Sequence, residues 1–89
     1  MNKSIRFLVS GRVQGVFFRA STKAQADKLE LSGWVRNCEN DEVEGVASGT
    51  EQQLGIFIAW LQQGPKMAKV DKLEIEDCDF QVFSSFDVR

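Results

Sequence analysis

Residues 11–19, which read Gly-Arg-Val-Gln-Gly-Val-Phe-Phe-Arg, have the residue types and spacing of an anion-binding loop. They lie between an alternating apolar run that predicts a strand and a polar, alanine-rich run that predicts a helix. Glycine allows positive φ and close approach of a ligand to the backbone. The first turn of a helix adds unpaired N–H groups and a positive dipole end. We therefore predict a phosphate-like anion site, to which Arg19 would contribute a planar cationic fork.

The same pattern has a purely structural explanation. Gly11 and Gly15 would then form a tight turn, and Arg12 and Arg19 would be solvated or paired with carboxylates. The spacing alone does not choose between the two interpretations. It does exclude a Walker A loop, because no Gly-Lys-Ser/Thr follows, and a dinucleotide loop, because there is no third glycine.

Missing residue types narrow the chemistry. The chain has no histidine, which excludes an imidazole base and a histidine metal ligand. Neither Cys38 nor Cys78 is followed six residues later by the arginine of a thiolate phosphatase loop, and two thiols alone do not complete a zinc site. The acidic residues within 39–44 lack the spacing of a calcium loop. We predict no metal, no cofactor and two free thiols, with a disulfide left open by the sequence.

Length and charge limit the classes of partner. The chain has 89 residues, enough for one domain, so we expect a single domain over residues 1–89. A net charge of −2 offers no broad basic surface for nucleic acid or anionic lipid. No apolar run approaches the ~20 residues that span a bilayer, and no signal-peptide core is present. We expect a cytoplasmic monomer with neither nucleic-acid nor membrane partners.

Alternation of apolar residues predicts the first three strands. Residues 5–10 carry apolar side chains on both faces, which favours a central position in the sheet. Residues 34–39 and 42–48 flank the polar turn at Asn40 and Asp41 and therefore predict a hairpin. Gly45 is expected to weaken the second strand of that hairpin.

Two further strands are predicted in the last third of the chain. The apolar alternation over residues 70–76 changes parity at Val70, which predicts a late start or a β-bulge. A last strand is predicted from four apolar residues that share one parity, namely Phe80, Val82, Phe86 and Val88.

Two segments predict helices. The first helix is predicted over residues 20–30, and a stripe of largely apolar side chains on it is expected to face the sheet. Gly33 is expected near the left-handed cap position that ends the helix. This stripe consists of Phe18, Thr22, Ala26 and Leu29. The second helix begins with a capping box of Thr50 and Gln53 and ends before Gly64 and Pro65. Its buried stripe consists of Leu54, Phe57, Ile58 and Leu61.

The order of elements is therefore β-α-β-β-α-β with an extra C-terminal strand. This order is typical of the ferredoxin-like α+β sandwich, in which an antiparallel sheet carries two helices on one face. The other face of such a sheet can remain exposed to solvent. We predict this fold with a short fifth strand.

The motifs in this order resemble those of the acylphosphatase family. Residues 9–19 match the family's signature loop nearly position for position, and residues 33–37, Gly-Trp-Val-Arg-Asn, resemble its second signature. Residues 47–49, the helix end over 60–65 and the Val70-Asp71 pair are also similar to the family. The resemblance covers essentially the whole chain. Cys38 and Gly45 depart from the family's usual pattern, and both lie outside its active positions.

The resemblance implies hydrolysis of acyl phosphates to a carboxylate and inorganic phosphate. Because an acyl phosphate is already reactive, we expect no covalent intermediate. It implies that Arg19 binds the phosphate and that Asn37, otherwise a plain strand-end residue, orients the attacking water. It assigns phosphate cradling to the loop, which comprises Gly11, Arg12, Val13, Gln14, Gly15, Val16, Phe17 and Phe18.

Several loop residues have simpler expected roles within that assignment. We expect Arg12 to be a rim charge and Gln14 to make a hydrogen bond within the loop. We expect Phe17 and Phe18 to pack in the interior, with Phe18 the deeper.

Two other functions remain open on the sequence. A non-catalytic module that binds phosphorylated or acidic small molecules would share the fold, but would not need Asn37. A nucleic-acid-binding sheet would need exposed aromatic residues and a basic surface. Phe7 could serve, but the acidic charge balance and the lack of a second aromatic residue argue against this function. Salt-dependent RNA binding would support the latter function.

Overall fold

The computed structural model describes residues 2–89, so Met1 of the predicted domain lies outside the described residues. The elements follow one another in the predicted order. They are β1 (Asn2–Arg12), α1 (Phe18–Lys28), β2 (Ser32–Asn37), β3 (Val43–Thr50), α2 (Glu51–Leu61), β4 (Lys69–Cys78) and β5 (Phe86–Val88). No helix within residues 2–89 is long and apolar enough to cross a membrane.

The five strands form one sheet in the order β4-β1-β3-β2-β5, so β1 is interior as predicted. The pairs β4–β1, β1–β3 and β3–β2 are antiparallel, and β2 and β3 form the predicted hairpin. By contrast, β5 pairs with β2 in parallel, with Gly33 opposite Phe86. The ferredoxin-like α+β fold with a short fifth strand is confirmed, and the parallel pairing of β5 with β2 makes the sheet mixed. The chain crosses from one sheet edge to the other between β4 and β5, which gives β5 the direction of β2.

The last strand is shorter than predicted, because only residues 86–88 join the sheet. Phe80 and Val82 lie before it in a segment without regular structure and are exposed. In that segment the amide of Gln81 donates to Ser4 Oγ, and Ser48 Oγ donates to the carbonyl of Gln81, each at 2.9 Å. Serine hydroxyls from β1 and β3 therefore replace the sheet hydrogen bonds that this segment lacks.

Both helices cover one face of the sheet, and three aromatic rings connect the layers. The rings of Phe7 and Phe57 lie 5.6 Å apart and those of Phe57 and Phe86 lie 6.2 Å apart, both edge-on. These contacts join β1, α2 and β5 in one core. Phe7 is therefore buried beneath α2, and it does not offer an exposed aromatic platform for nucleic acid.

The helix stripes are buried largely as predicted. On α1, Phe18, Thr22 and Ala26 are buried and Leu29 is partly buried against the core. On α2, the buried residues are Leu54, Phe57 and Leu61, with Ile58 partly buried beside them.

The ends of the two helices differ in how well they were predicted. At the start of α2 the capping box is present, since Thr50 Oγ1 accepts from the Gln53 amide and Gln53 Oε1 accepts from the Thr50 amide. At the end of α1 the left-handed residue is Glu30, with φ 60°, and not Gly33, which lies in β2. The helix ends three residues earlier than the glycine suggested, because β2 already begins at Ser32.

The parity change near Val70 is a β-bulge. Ser10 pairs with Lys72 and Gly11 with Val70, so Asp71 is an extra residue in β4. Gly11 has φ 124°, and an added Cβ there would overlap the Lys69 carbonyl. The glycine therefore permits close approach of two strands at the bulge.

Gly45 makes room for the core and does not interrupt β3, which runs unbroken from Val43 to Thr50. A Cβ at Gly45 would overlap the Phe7 ring and the Trp34 carbonyl oxygen. Gly45 therefore does not weaken the strand as expected. It is needed for packing, because only glycine leaves space for the Phe7 ring against the sheet.

We predict that Gly45→Ala lowers the free energy of unfolding by about 1–3 kcal/mol, because the added methyl group forces a shift of Phe7 or of the strand. The matched control is Gly55→Ala in α2, where nothing lies within 4 Å of an added Cβ. That change should stabilise the protein by roughly 0.5–1 kcal/mol. Urea titration measures both, and equal effects of the two substitutions would contradict this packing account.

An ion-pair cluster lies on the face of the sheet opposite the helices. Glu44 accepts a hydrogen bond from Arg36 Nε at 2.6 Å and another from Arg6 Nη2 at 3.4 Å. The hydrogen bond from Arg36 holds the pKa of Glu44 below its ordinary value of 4.5, against the opposing effect of burial. At pH values above the ordinary pKa of 4.5, the cluster therefore stabilises the folded state. This contribution is lost as the pH falls through the lowered pKa of Glu44.

We predict that Glu44→Gln lowers the free energy of unfolding by about 0.5–1 kcal/mol at neutral pH. The loss should shrink at an acidic pH below the lowered pKa of Glu44, where the wild-type carboxyl is protonated too. Denaturant titrations at the neutral and the acidic pH measure the difference. Glu74→Gln, which affects an exposed pair with Lys72, is the control. A loss of the same size at both pH values would show that the charge of Glu44 is not its source.

Candidate active site

The C-terminal ends of β1, β2 and β5 lie at the same end of the sheet. β1, β2 and β5 run in the same direction, because β1 and β2 are each antiparallel to β3 and β5 is parallel to β2. The loop over residues 13–17 follows β1, Asn37 ends β2 and Arg89 follows β5. Chain direction alone therefore brings the two sequence motifs and the C-terminal strand together.

A cavity of about 300 Å³ lies at this end of the sheet. Its lining residues are Val13, Gly15, Phe17, Phe18, Arg19, Ala20, Asn37 and Val88. Arg19 and Asn37, which come from separate motifs, thus face one space. Among the other predicted loop residues, Gly11 and Arg12 lie within β1, and neither these nor Gln14 and Val16 line the cavity.

The loop backbone directs the start of α1 toward the cavity. Gly15 has φ 74° with open space where a Cβ would lie, so its positive φ accounts for the glycine. Phe17, the residue before α1, also has a left-handed backbone, with φ 61° and ψ 23°. No side chain caps the helix, and the first amides of α1 have no acceptor within the helix. These amides and the helix dipole favour an anion at this position.

Gln14 fixes the loop to the β2–β3 turn. Its Nε2 donates to the carbonyl oxygens of Cys38 and Glu42, at 2.9 Å each. The Cys38 amide in turn donates to the Glu42 carbonyl at 2.7 Å, and Ser10 Oγ donates to Glu42 Oε2 at 2.5 Å. The predicted hydrogen bond within the loop is wrong, because both acceptors belong to the β2–β3 turn. Gln14 joins the loop to the turn that begins beside Asn37.

Arg19 is held by the end of the chain, a contact that sequence reasoning missed. Its Nη1 donates to the backbone oxygen of Arg89 at 2.9 Å, across a separation of 70 residues. The Arg89 amide donates to the Val35 carbonyl at 2.8 Å, and its guanidinium lies 4.9 Å from the centroid of the Trp34 ring. A guanidinium has five N–H donors, so Arg19 keeps donors for an anion. No short-range sequence signal connects residues 19 and 89.

The two phenylalanines of the loop differ sharply in burial. Phe18 is 1% exposed and lies against Trp60, with ring centroids 5.8 Å apart, as expected of a core residue. Phe17 is 79% exposed, so its predicted interior packing is wrong. It precedes the helix and has a left-handed backbone, whereas the stripe that faces the core begins one residue later. Arg12 is exposed, as expected for a rim charge.

Cys38 lies next to Asn37 and is a free thiol, as is Cys78. Burial, and then the Glu44 carboxylate, raise the pKa of Cys38 above its ordinary value of 9.0. The thiol is therefore protonated at neutral pH and is a poor nucleophile. Across residues 2–89, no three thiol or carboxylate groups converge as a metal site, and a metal-free reaction stays a prediction.

The mixed sheet with two helices on one face, and a strand–helix loop opening onto a cavity, define a ferredoxin-like α+β protein. The sequence model of the acylphosphatase family matches residues 5–88. The chain is 48% identical over 84 residues to an acylphosphatase of Legionella pneumophila strain Corby, covering 94% of this chain and 92% of that relative.

Solved structures agree with this match. An acylphosphatase from Coxiella burnetii has a TM-score of 0.96 and 41% identity, covering 99% of this chain and 93% of that one. The acylphosphatase from Bacillus subtilis has a TM-score of 0.95 and 33% identity, covering 100% and 99%. The chain belongs to the acylphosphatase family, whose members are enzymes that hydrolyse acyl phosphates. The resemblance stated from the motifs and the enzyme class are confirmed.

We predict that Gln14→Met, which keeps the length of the side chain but removes both donated hydrogen bonds, lowers kcat/KM by about ten- to a hundredfold. The reason is that the loop loses its attachment to the turn beside Asn37, and small displacements at a reacting centre are costly. Hydrolysis of benzoyl phosphate measures the effect. Gln52→Met, on the exposed first turn of α2, is the control. Activity within about twofold of wild type would contradict the role given to Gln14.

Proposed function

We propose that this enzyme binds the phosphoryl group of an acyl phosphate between the β1–α1 loop and Arg19, while Asn37 positions the attacking water. The products are a carboxylate and inorganic phosphate. The observation that carries this proposal is that Arg19 and Asn37, from different elements, line one cavity together with the loop.

The reaction makes modest demands on the protein. A carboxylate is a good leaving group, so no strong general acid is needed, and the substrate is already reactive. What remains is to hold the phosphoryl group, to neutralise charge on its equatorial oxygens and to place water in line with the bond that breaks. The chain has no histidine, and this chemistry does not require one.

Arg19 and the loop amides meet the first two demands. The guanidinium is permanently charged and can donate two parallel hydrogen bonds to phosphate oxygens. Its bond to Arg89 fixes its position before substrate arrives. The first amides of α1 lie beside it and bring the positive end of the helix dipole. Donors fixed in advance stabilise developing charge without reorganising during the reaction.

Asn37 meets the third demand. Its side chain offers one acceptor and two donors, which suffices to orient a water molecule. An amide is a poor base, so the proton of the water passes to a phosphate oxygen of the substrate itself. The water oxygen forms a bond to phosphorus, the bond from phosphorus to the acyl oxygen breaks, and the carboxylate leaves with the electron pair.

The proposed reaction forms no covalent intermediate with the enzyme. Cys38 is the nearest thiol to Asn37 in sequence, and burial and Glu44 keep it protonated by raising its pKa. Direct attack by water is therefore the simpler route. We further propose a single-domain, cytoplasmic monomer that needs no metal or cofactor and binds neither nucleic acid nor membrane. The net charge of −2 and the burial of Phe7 support the absence of a nucleic-acid surface.

We predict that the wild type releases phosphate from benzoyl phosphate in the presence of a chelator. Arg19→Gln and Asn37→Ala should each lower kcat/KM by at least about a hundredfold, because each removes a group that acts on the transition state. Matched controls are Arg6→Gln and Asn2→Ala, which lie outside the cavity, and Cys38→Ser, which tests the thiol. All three should stay within about threefold of wild type.

The outcomes separate the competing functions. A wild type that binds phosphate through Arg19 but is inert would indicate a binding module. Full activity in Asn37→Ala would rule out its role with water, and loss of activity in Cys38→Ser would point to a covalent route. In ¹⁸O-labelled water, the label should enter phosphate and not benzoate if water attacks phosphorus.

A further inference from the structure

Phe17 stands apart from the other aromatic residues near the core. Four phenylalanines are about 1% exposed or less, namely Phe7, Phe18, Phe57 and Phe86, whereas Phe17 is 79% exposed. Its ring belongs neither to the buried core nor to the partly buried residues that pack against it. The ring of Phe17 therefore contributes little to the packing that holds the sheet and helices together.

The backbone of Phe17 is also unfavourable for a bulky side chain. With φ 61° and ψ 23° the residue lies in the left-handed region, where glycine and asparagine are far more common. An exposed ring offers no packing energy to offset this conformation. Residues held in such a conformation are concentrated at functional sites, and this one borders the cavity of Arg19 and Asn37.

The cavity has two chemically different parts. Arg19 and Asn37 supply its charged and polar side chains, while the other lining side chains are apolar. Among the large apolar side chains of this lining, Phe17 and Val88 are exposed, Val88 to 42%. The volume of about 300 Å³ is at the lower end of the usual range for small-molecule sites, about 300–1,000 Å³. It leaves room for a substituent beyond a bound phosphoryl group.

We propose that Phe17, with Val88, forms an apolar wall that binds the acyl group of the substrate and favours aromatic or bulky aliphatic acyl phosphates over acetyl phosphate. This inference rests on the proposed function, since it presupposes that Arg19 and the loop hold the phosphoryl group. It identifies the substrate class by the surface beside that group.

The physical basis is the contact between two apolar surfaces that water would otherwise cover. The acyl substituent does not react, but its contact with the ring adds binding energy that is retained in the transition state and raises kcat/KM. An aromatic acyl group gains most, because rings also stack in offset or edge-on arrangements. The methyl group of acetyl phosphate offers too little surface to gain comparably.

The test compares Phe17→Asn with wild type on benzoyl phosphate and acetyl phosphate. Asparagine tolerates the left-handed backbone, so the loop is preserved while the apolar surface is removed. We expect the ratio of kcat/KM for benzoyl phosphate to kcat/KM for acetyl phosphate to fall about tenfold relative to wild type. Phe80→Asn is the matched control, since Phe80 is 50% exposed and lines a different cavity. Its ratio between the two substrates should equal that of wild type.

A second measurement is independent of turnover. Calorimetry should show that wild type binds phenylphosphonate more tightly than methylphosphonate. Phe17→Asn should lower the ratio of the methylphosphonate Kd to the phenylphosphonate Kd about tenfold. Phe17→Gly serves if the asparagine variant does not fold. An equal loss on both substrates would overturn the inference and assign Phe17 to loop geometry. A wild type that hydrolyses neither substrate would instead contradict the proposed function, while the phosphonates still decide the role of Phe17.

Discussion

Strand direction is the constraint on which the rest of this molecule depends. Because β1, β2 and β5 run the same way, the residues that follow them emerge at one edge of the sheet. The parallel pairing of β5 with β2 brings the Arg89 backbone oxygen within hydrogen-bond distance of Arg19. The same geometry places Asn37 on the cavity that Arg19 lines. Site residues held by backbone pairing cost little to order when a ligand arrives.

Much of the fold was predictable because local patterns and packing agree. The parity change at Val70 predicted a bulge, and the sheet contains one at Asp71. Thr50 and Gln53 predicted a capping box, and both of its hydrogen bonds form. In the candidate site, the two motifs predict Arg19 and Asn37, which line one cavity, although their roles rest on resemblance. In each case the sequence signal lies within a few residues of the feature it predicts.

The features that could not be predicted depend on contacts between distant residues or on a choice between equivalent local solutions. Gln14 was expected to bond within its loop, but its side chain donates to two carbonyls of the β2–β3 turn, 24 and 28 residues away in sequence. The end of α1 uses Glu30 for its left-handed residue although a glycine lies three residues on, because β2 begins before Gly33. The exposure of Phe17 is set by where α1 begins, and apolar periodicity locates helix ends poorly.

The bond between Arg19 and Arg89 also bears on how the protein folds. It closes a chain segment of 70 residues, and the pairing of β2 with β5 is similarly non-local. Long closures lose the most chain entropy and slow folding when they dominate a topology. Helix content can therefore recover early during refolding, whereas the cavity is complete only once the final strand has docked. Catalytic turnover should therefore return later during refolding than helix content does.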